Sequence, residues 1–208
     1  SIPSAPVVPK KKTATPVSAP VSVVASPPAP RAPTQEEFNT SAAALRAALV
    51  NIICYAPAGS GIRSISGSGV IIDSKGIILT NAHIALYFLL ADREVSCTIR
   101  AGSPARDKYK AALIYIPLAW VEKNAKVVTQ STPSGTGEQD FAFLAITKSI
   151  SNDPLSVAFP AVPLATLPVL TNTPVIIASY GAQFLESSQV LSNLSPTIVF
   201  GTVKDIFT

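Results

Sequence analysis

Gly67-Ser-Gly-Val-Ile-Ile-Asp-Ser-Lys-Gly-Ile-Ile-Leu-Thr-Asn-Ala-His83 is the stretch on which the reading of this chain turns. A β-branched run over 64–73 is broken by Asp73-Ser-Lys-Gly76, and a second apolar run follows at 77–80. Asp and Gly at the ends of a short polar interruption are turn chemistry, so the stretch predicts a β-hairpin. Gly67 and Gly69 lie inside the first strand, where a missing side chain lets another element approach the backbone. A Gly-Ser-Gly run could also cradle a phosphate. That requires a helix N-terminus directly after it, and here a strand follows.

Working outward, Val50–Tyr55 is another β-rich run, and further strands are expected at 95–100, 111–117, 126–130, 141–147, 174–180 and 197–204. A short helix is expected within 82–90. Upstream, Thr34-Gln-Glu-Glu37 is a capping box, and Phe38, Ala42, Leu45 and Leu49 share one helical face, which predicts a helix over 35–49. Many short strands between Pro-, Gly- and Ser-rich loops point to an all-β barrel or sandwich.

The chain has 208 residues, 48% hydrophobic and 13% charged, which is enough apolar material for a substantial core. Its organisation is uneven. Residues 1–33 hold nine of the 19 prolines, three adjacent lysines (Lys10, Lys11, Lys12), Arg31 and no acid. This segment reads as an extended, solvated linker. Residues 34–208 form the expected folded domain, with 12 basic and 12 acidic residues. A domain without excess positive charge or an aromatic-interleaved basic patch is not expected to bind nucleic acid. No run of 18 apolar residues is present, so no membrane-spanning helix is expected.

One histidine, His83, and two separated cysteines, Cys54 and Cys97, are too few ligands for a zinc site, so no metal is expected. His83 directly follows the hairpin, which would fix a general base in space. Such a base needs an orienting carboxylate. The aspartates are Asp73, Asp92, Asp107, Asp140, Asp153 and Asp205. Asp73 is the hairpin turn, Asp92 and Asp107 sit among other charges, and Asp153 precedes a proline. Asp140 stands at the head of the apolar run Phe141-Ala-Phe-Leu-Ala-Ile146, where a carboxylate can be held and desolvated. Glu138 is a weaker stand-in.

The stretch from Gly67 to His83 resembles the segment around the catalytic histidine of trypsin-like serine proteases, most closely the Deg/HtrA-type bacterial branch. That branch carries a Gly-Ser-Gly strand, a D-x-x-G turn and I-L-T-N-x-H. The resemblance extends over about residues 50–208, with Asp140-Phe-Ala-Phe-Leu matching the Asp that heads an apolar strand and Thr173–Gly181 similar to a strand of the second barrel. It implies a chymotrypsin-like double β-barrel, first barrel complete and second only partly present, with the N-terminal helix an addition to the family pattern. His83 would be general base and then general acid, and Asp140 its orienter. No cofactor is implied, and the substrates would be polypeptides. Chymotrypsin-like proteases often carry a disulfide bracketing the histidine. Cys54 and Cys97 would play that part, the alternative being two buried free thiols. An oxidising, extracytoplasmic location would follow (periplasmic, secreted or tethered to the cell envelope), with envelope association through the proline-rich linker.

The chain departs from the pattern at the nucleophile. The family places it in a G-x-S-G-G turn that also forms the oxyanion hole. No serine here is followed by a glycine pair: Ser187, Ser188 and Ser192 precede Ser, Gln and Asn, and Ser66 and Ser68 lie before the histidine. The expectation is therefore a serine endopeptidase whose nucleophile is encoded beyond Thr208. An unfinished second barrel would leave a sheet edge and apolar faces exposed. Two rivals stand beside it: a non-catalytic protease-like binding module, and a structural β-domain in which His83 and Asp140 are unrelated.

Overall fold

A computed structural model describes residues 33–130, 137–181 and 187–206. The expectation for the 1–33 linker thus falls almost wholly outside the described residues. The chain is dominated by β-structure: a closed, six-stranded antiparallel barrel preceded by a helix.

Helix α1 (Gln35–Ala48) begins at the capping box expected from sequence: Glu37 N donates to Thr34 Oγ1 at 3.2 Å and Thr34 N donates to Glu37 Oε2 at 2.8 Å. It runs straight into β1 (Leu49–Tyr55), whose first six residues are all buried. Then come β2 (Ile65–Asp73), β3 (Ile77–Thr80), β4 (Ser96–Ala101), β5 (Arg106–Tyr115) and β6 (Ala142–Ser149). The barrel closes in the order β1-β2-β3-β6-β5-β4. Inward residues of alternating strand positions, among them Ile52, Ile71, Ile78, Ile99 and Leu144, fill it.

The 67–80 hairpin forms as expected, with β2 and β3 paired and Gly76 at φ 85°, a left-handed conformation suited to glycine. Gly67 and Gly69 have a packing reason. A Cβ on Gly67 would lie 2.5 Å from Ile84 Cδ1, and one on Gly69 would lie 2.7 Å from Ile78 Cγ2. The helix that carries His83 therefore rests directly on the β2 backbone.

Two sequence expectations need correction. The Val-Val run at 126–130 is not a strand: α3 (Leu118–Asn124) leads into a 3-10 turn over Ala125–Thr129. Val128 is buried and Val127 packs against the barrel core, so these residues serve as a plug rather than a ladder. Strand β5 also starts earlier than expected, because Arg106 and Asp107 pair with β4 despite their charge.

After the barrel, β7 (Pro174–Ser179) and β8 (Thr197–Thr202) form a separate two-stranded antiparallel sheet, with α4 (Ser187–Ser192) between them. Ile177, Val199 and Phe200 on this sheet are exposed. Among the described residues there is no second closed barrel. The sheet is attached to the barrel at several points. Tyr180 N donates to Ser68 Oγ and Tyr180 Oη donates to Gly102 O, each at 2.8 Å. Phe38 of α1 meets Phe200 of β8 edge-on. Arg100, 3% exposed, donates to Val190 O at 2.9 Å and Leu191 O at 2.6 Å, gripping the C-terminal carbonyls of α4. Its remaining contacts are Ala105 O, Asn51 Oδ1 and Asp107 Oδ1.

Cys54 and Cys97 are disulfide-bonded, not free thiols. They face each other across the β1–β4 ladder, so the bond staples two neighbouring barrel strands. Among the described residues no helix is long and apolar enough to cross a membrane.

Candidate functional site

His83 and Asp140 are 57 residues apart in sequence and meet because of strand pairing. β3 and β6 are antiparallel neighbours with Thr80 opposite Ala142. His83 follows the end of β3 and Asp140 precedes β6, so both emerge at the same rim of the barrel. His83 sits in the helical turn α2 (Ala82–Ala85), which continues as 3-10 helix over Leu86–Arg93. Ala82 beside it is fully buried.

The carboxylate holds the histidine at two points. Asp140 Oδ1 accepts from the His83 backbone N–H at 2.9 Å, and Oδ2 lies 2.7 Å from His83 Nδ1. With Asp140 ionised, Nδ1 must carry the proton and donate, which leaves Nε2 with its lone pair. Asn81, the residue before α2, donates from Nδ2 to Asp140 O at 3.1 Å and contacts Oδ2 at 3.4 Å. Asp140 is thereby fixed through both its carboxylate and its carbonyl. The imidazole is 39% exposed and the carboxylate 17%, so the carboxylate is sheltered behind the ring it orients. Nε2 makes no hydrogen bond with any described residue.

Two concavities flank the pair. One, about 290 Å³, runs along the carboxylate side past Ser68, Thr80, Asn81, Asp140 and Phe141 to Ala178 of β7. The other, about 180 Å³, lies beside the imidazole and is walled by Arg63, Ser64, Tyr87 and Gln130 with Ile65 and Val127. Burial pushes the Tyr87 phenol above its ordinary pKa, with the Arg63 charge working the other way.

The sequence reading named His83 and Asp140, and the structure brings those two together. The other aspartates lie elsewhere: Asp73 holds the hairpin turn by accepting from Lys75 N, Asp92 contacts Arg93, Asp107 contacts Arg100 and Asp153 accepts from Ser151. Glu138 is exposed in the loop before Asp140. Ser66 and Ser68 are engaged structurally, by Asn51 Nδ2 and by Tyr180 N. Asn81 and Tyr87 were not anticipated. Asn81 carried a signal, a helix N-cap residue type just before the expected helix. Its side chain is used on Asp140 instead of on the cap. Among the described residues no group of three or more His, Cys, Asp and Glu side chains comes together.

The sequence matches no protein-family model and no curated protein.

Proposed function

We propose that this chain supplies the base half of a trypsin-like serine endopeptidase. The observation that carries the proposal is the two-point hold of Asp140 on His83. A histidine held at its backbone N–H and at Nδ1, with Nε2 unengaged by any described residue on a part-exposed ring, has the tautomer and orientation of a general base. In the proposed reaction Nε2 removes the proton of a serine hydroxyl as the oxygen attacks the peptide carbonyl. The imidazolium, stabilised by Asp140, then protonates the departing amine, leaving an acyl-enzyme that water hydrolyses. The closed six-stranded barrel is compatible with the first barrel of a chymotrypsin-like enzyme. In that reading the β7–β8 sheet belongs to the second barrel, and the serine with its oxyanion hole lies outside these 208 residues. The Cys54–Cys97 disulfide supports an oxidising, extracytoplasmic setting.

The second reading, a non-catalytic protease-like binding module, is favoured by one observation: no serine of the chain is followed by a glycine pair. The experiment is to read the native gene past the codon for Thr208 and to expose the protein it encodes to a fluorophosphonate label. A G-x-S-G-G turn and labelling that disappears in His83→Ala are expected. A gene without that turn, or a labelled site indifferent to His83, overturns the peptidase reading in favour of the binding module.

A further inference from the structure

A third concavity, of about 210 Å³, adjoins the one beside the imidazole, and Ser64 and Ile65 line both. The barrel contributes Ile53, Tyr55 and Ile65 to it, and α4 contributes Val190 and Leu191. Among the described residues lining it none is charged. Its two serine oxygens already accept within the protein, Ser64 Oγ from Ala56 N at 3.1 Å and Ser66 Oγ from Asn51 Nδ2 at 2.9 Å. Tyr55 and Leu191 are exposed, so apolar area remains there to be covered.

The two contributors are joined through buried polar residues that the proposed chemistry does not use. Asn51 is fully buried, and Arg100 nearly so. Asn51 Nδ2 holds Ser66 of the barrel, and Asn51 Oδ1 accepts from Arg100 Nη1 at 3.3 Å. The same Nη1 donates to Val190 O, and Nη2 donates to both Leu191 O and Ala105 O. One amide and one planar guanidinium thus tie β1, β2 and α4 together beside the groove. The walls are set before anything binds, which lowers the cost of binding.

We propose that this groove is a subsite for an aliphatic side chain, such as Leu, of the polypeptide that docks against His83, and that Arg100 is the positioning residue that holds its α4 wall. That the side chain arrives on a polypeptide rests on the peptidase reading. The aliphatic preference rests on the groove alone. The continuity of the two concavities through Ser64 and Ile65 lets one extended chain run from the imidazole into the groove.

The test uses two probes, N-acetyl-Ala-Ala-Leu-Ala-amide and the same peptide with Asn in place of Leu, titrated into the full chain. Asn is close to Leu in shape but polar. Binding is read from the methyl signals of Val190 and Leu191 and from the ring signals of the single histidine. The Leu peptide is expected to bind about tenfold more tightly and to move the Val190 and Leu191 methyls. Leu191→Asn should cut that preference severalfold. Arg100→Lys keeps the charge but lacks the fork, so the Leu peptide should fall to the level of the Asn peptide, whose own affinity stays unchanged. A variant that merely lost its fold would weaken both. Equal affinities in the parent, unmoved Val190 and Leu191 methyls, or a preference that survives both substitutions overturns the proposal. Equal weakening of both peptides by Arg100→Lys overturns the positioning role. The subsite and the peptidase reading fail separately. A Leu preference in a protein that takes no fluorophosphonate keeps the subsite and ends the peptidase reading. A labelled, His83-dependent protein without the preference does the reverse.

Discussion

Replacing Asp140 by Asn should reverse the tautomer of His83, and the geometry fixes the direction. The carboxylate has two acceptor oxygens, one on the His83 backbone N–H at 2.9 Å and one on Nδ1 at 2.7 Å. An asparagine offers one acceptor and one donor. The backbone N–H can only donate, so turning the amide NH2 toward it would set two donors face to face and strand the backbone group, at a cost of about 1–3 kcal/mol. The carbonyl oxygen therefore stays on the backbone N–H and the NH2 faces Nδ1. Nδ1 must then accept, and the ring proton moves to Nε2. Because the ring is 39% exposed, the lower half of that range applies, about 1–2 kcal/mol, which still favours one tautomer by roughly five- to thirtyfold. The assay is two-bond nitrogen–proton correlation on the neutral imidazole, unambiguous with one histidine in the chain. The parent protein should show Nδ1 protonated and Asp140→Asn should show Nε2 protonated. An Asp140→Asn protein that keeps its proton on Nδ1 would refute the argument, and with it the claim that the carboxylate sets the base.

Gly67→Ala should cost about 1–3 kcal/mol, since its methyl would sit 2.5 Å from Ile84 Cδ1 in a packed core; urea unfolding measures the loss, and the His83 ring signals should shift because Ile84 is the next residue. Removing the Cys54–Cys97 bond, which closes a separation of 43 residues, should lower stability by about 4 kcal/mol in the chain-entropy account, read by comparing the oxidised protein with the double alanine variant. Arg100→Lys should not rescue Arg100→Ala: a lysine lacks the planar fork that reaches Val190 O, Leu191 O and Ala105 O together, so both variants should expose the α4 amides to faster hydrogen exchange than in the parent. Burial raises the Tyr180 phenol above its ordinary value of 10.0, with the charges of Arg100 and Arg46 opposing it. The unfolded phenol ionises first, so the stability held below about pH 10 should fall as pH rises toward the folded pKa. Tyr180→Phe should flatten that slope in a denaturation series over pH 9–11.

The hairpin and the helix cap were legible because their chemistry is local. Asp73 and Gly76 make the same turn whatever surrounds them, and Thr34 finds Glu37 three residues away. His83 and Asp140 were legible through resemblance and through the apolar strand that Asp140 heads. What stayed hidden depended on partners distant in sequence. Val127 and Val128 have strand propensity, but the element that needed them was a barrel plug. Arg106 and Asp107 looked like a loop until β4 was there to pair with them. Arg100 gave no sign in its strand that it would meet residues some ninety positions later. Asn81 and Tyr87 matter through what they face, and facing is settled only by closure of the barrel.

The meeting of His83 and Asp140 across the β3–β6 seam leaves the chain between them unusually free to change in length. Four facing pairs, Ile77 with Ala145 through Thr80 with Ala142, set the register that brings the two residues to one rim. Insertions in the loops between β3 and β6, such as that at 102–105, lengthen the path between the two residues without altering the register that joins them. A shift of a single residue in that seam would do what no loop insertion can: slide the two rims by one strand step, about 3.3 Å, and turn Asp140 to the opposite face. Natural variation among relatives, and any attempt to graft new segments onto this scaffold, should therefore crowd into those loops and leave the eight seam residues in step.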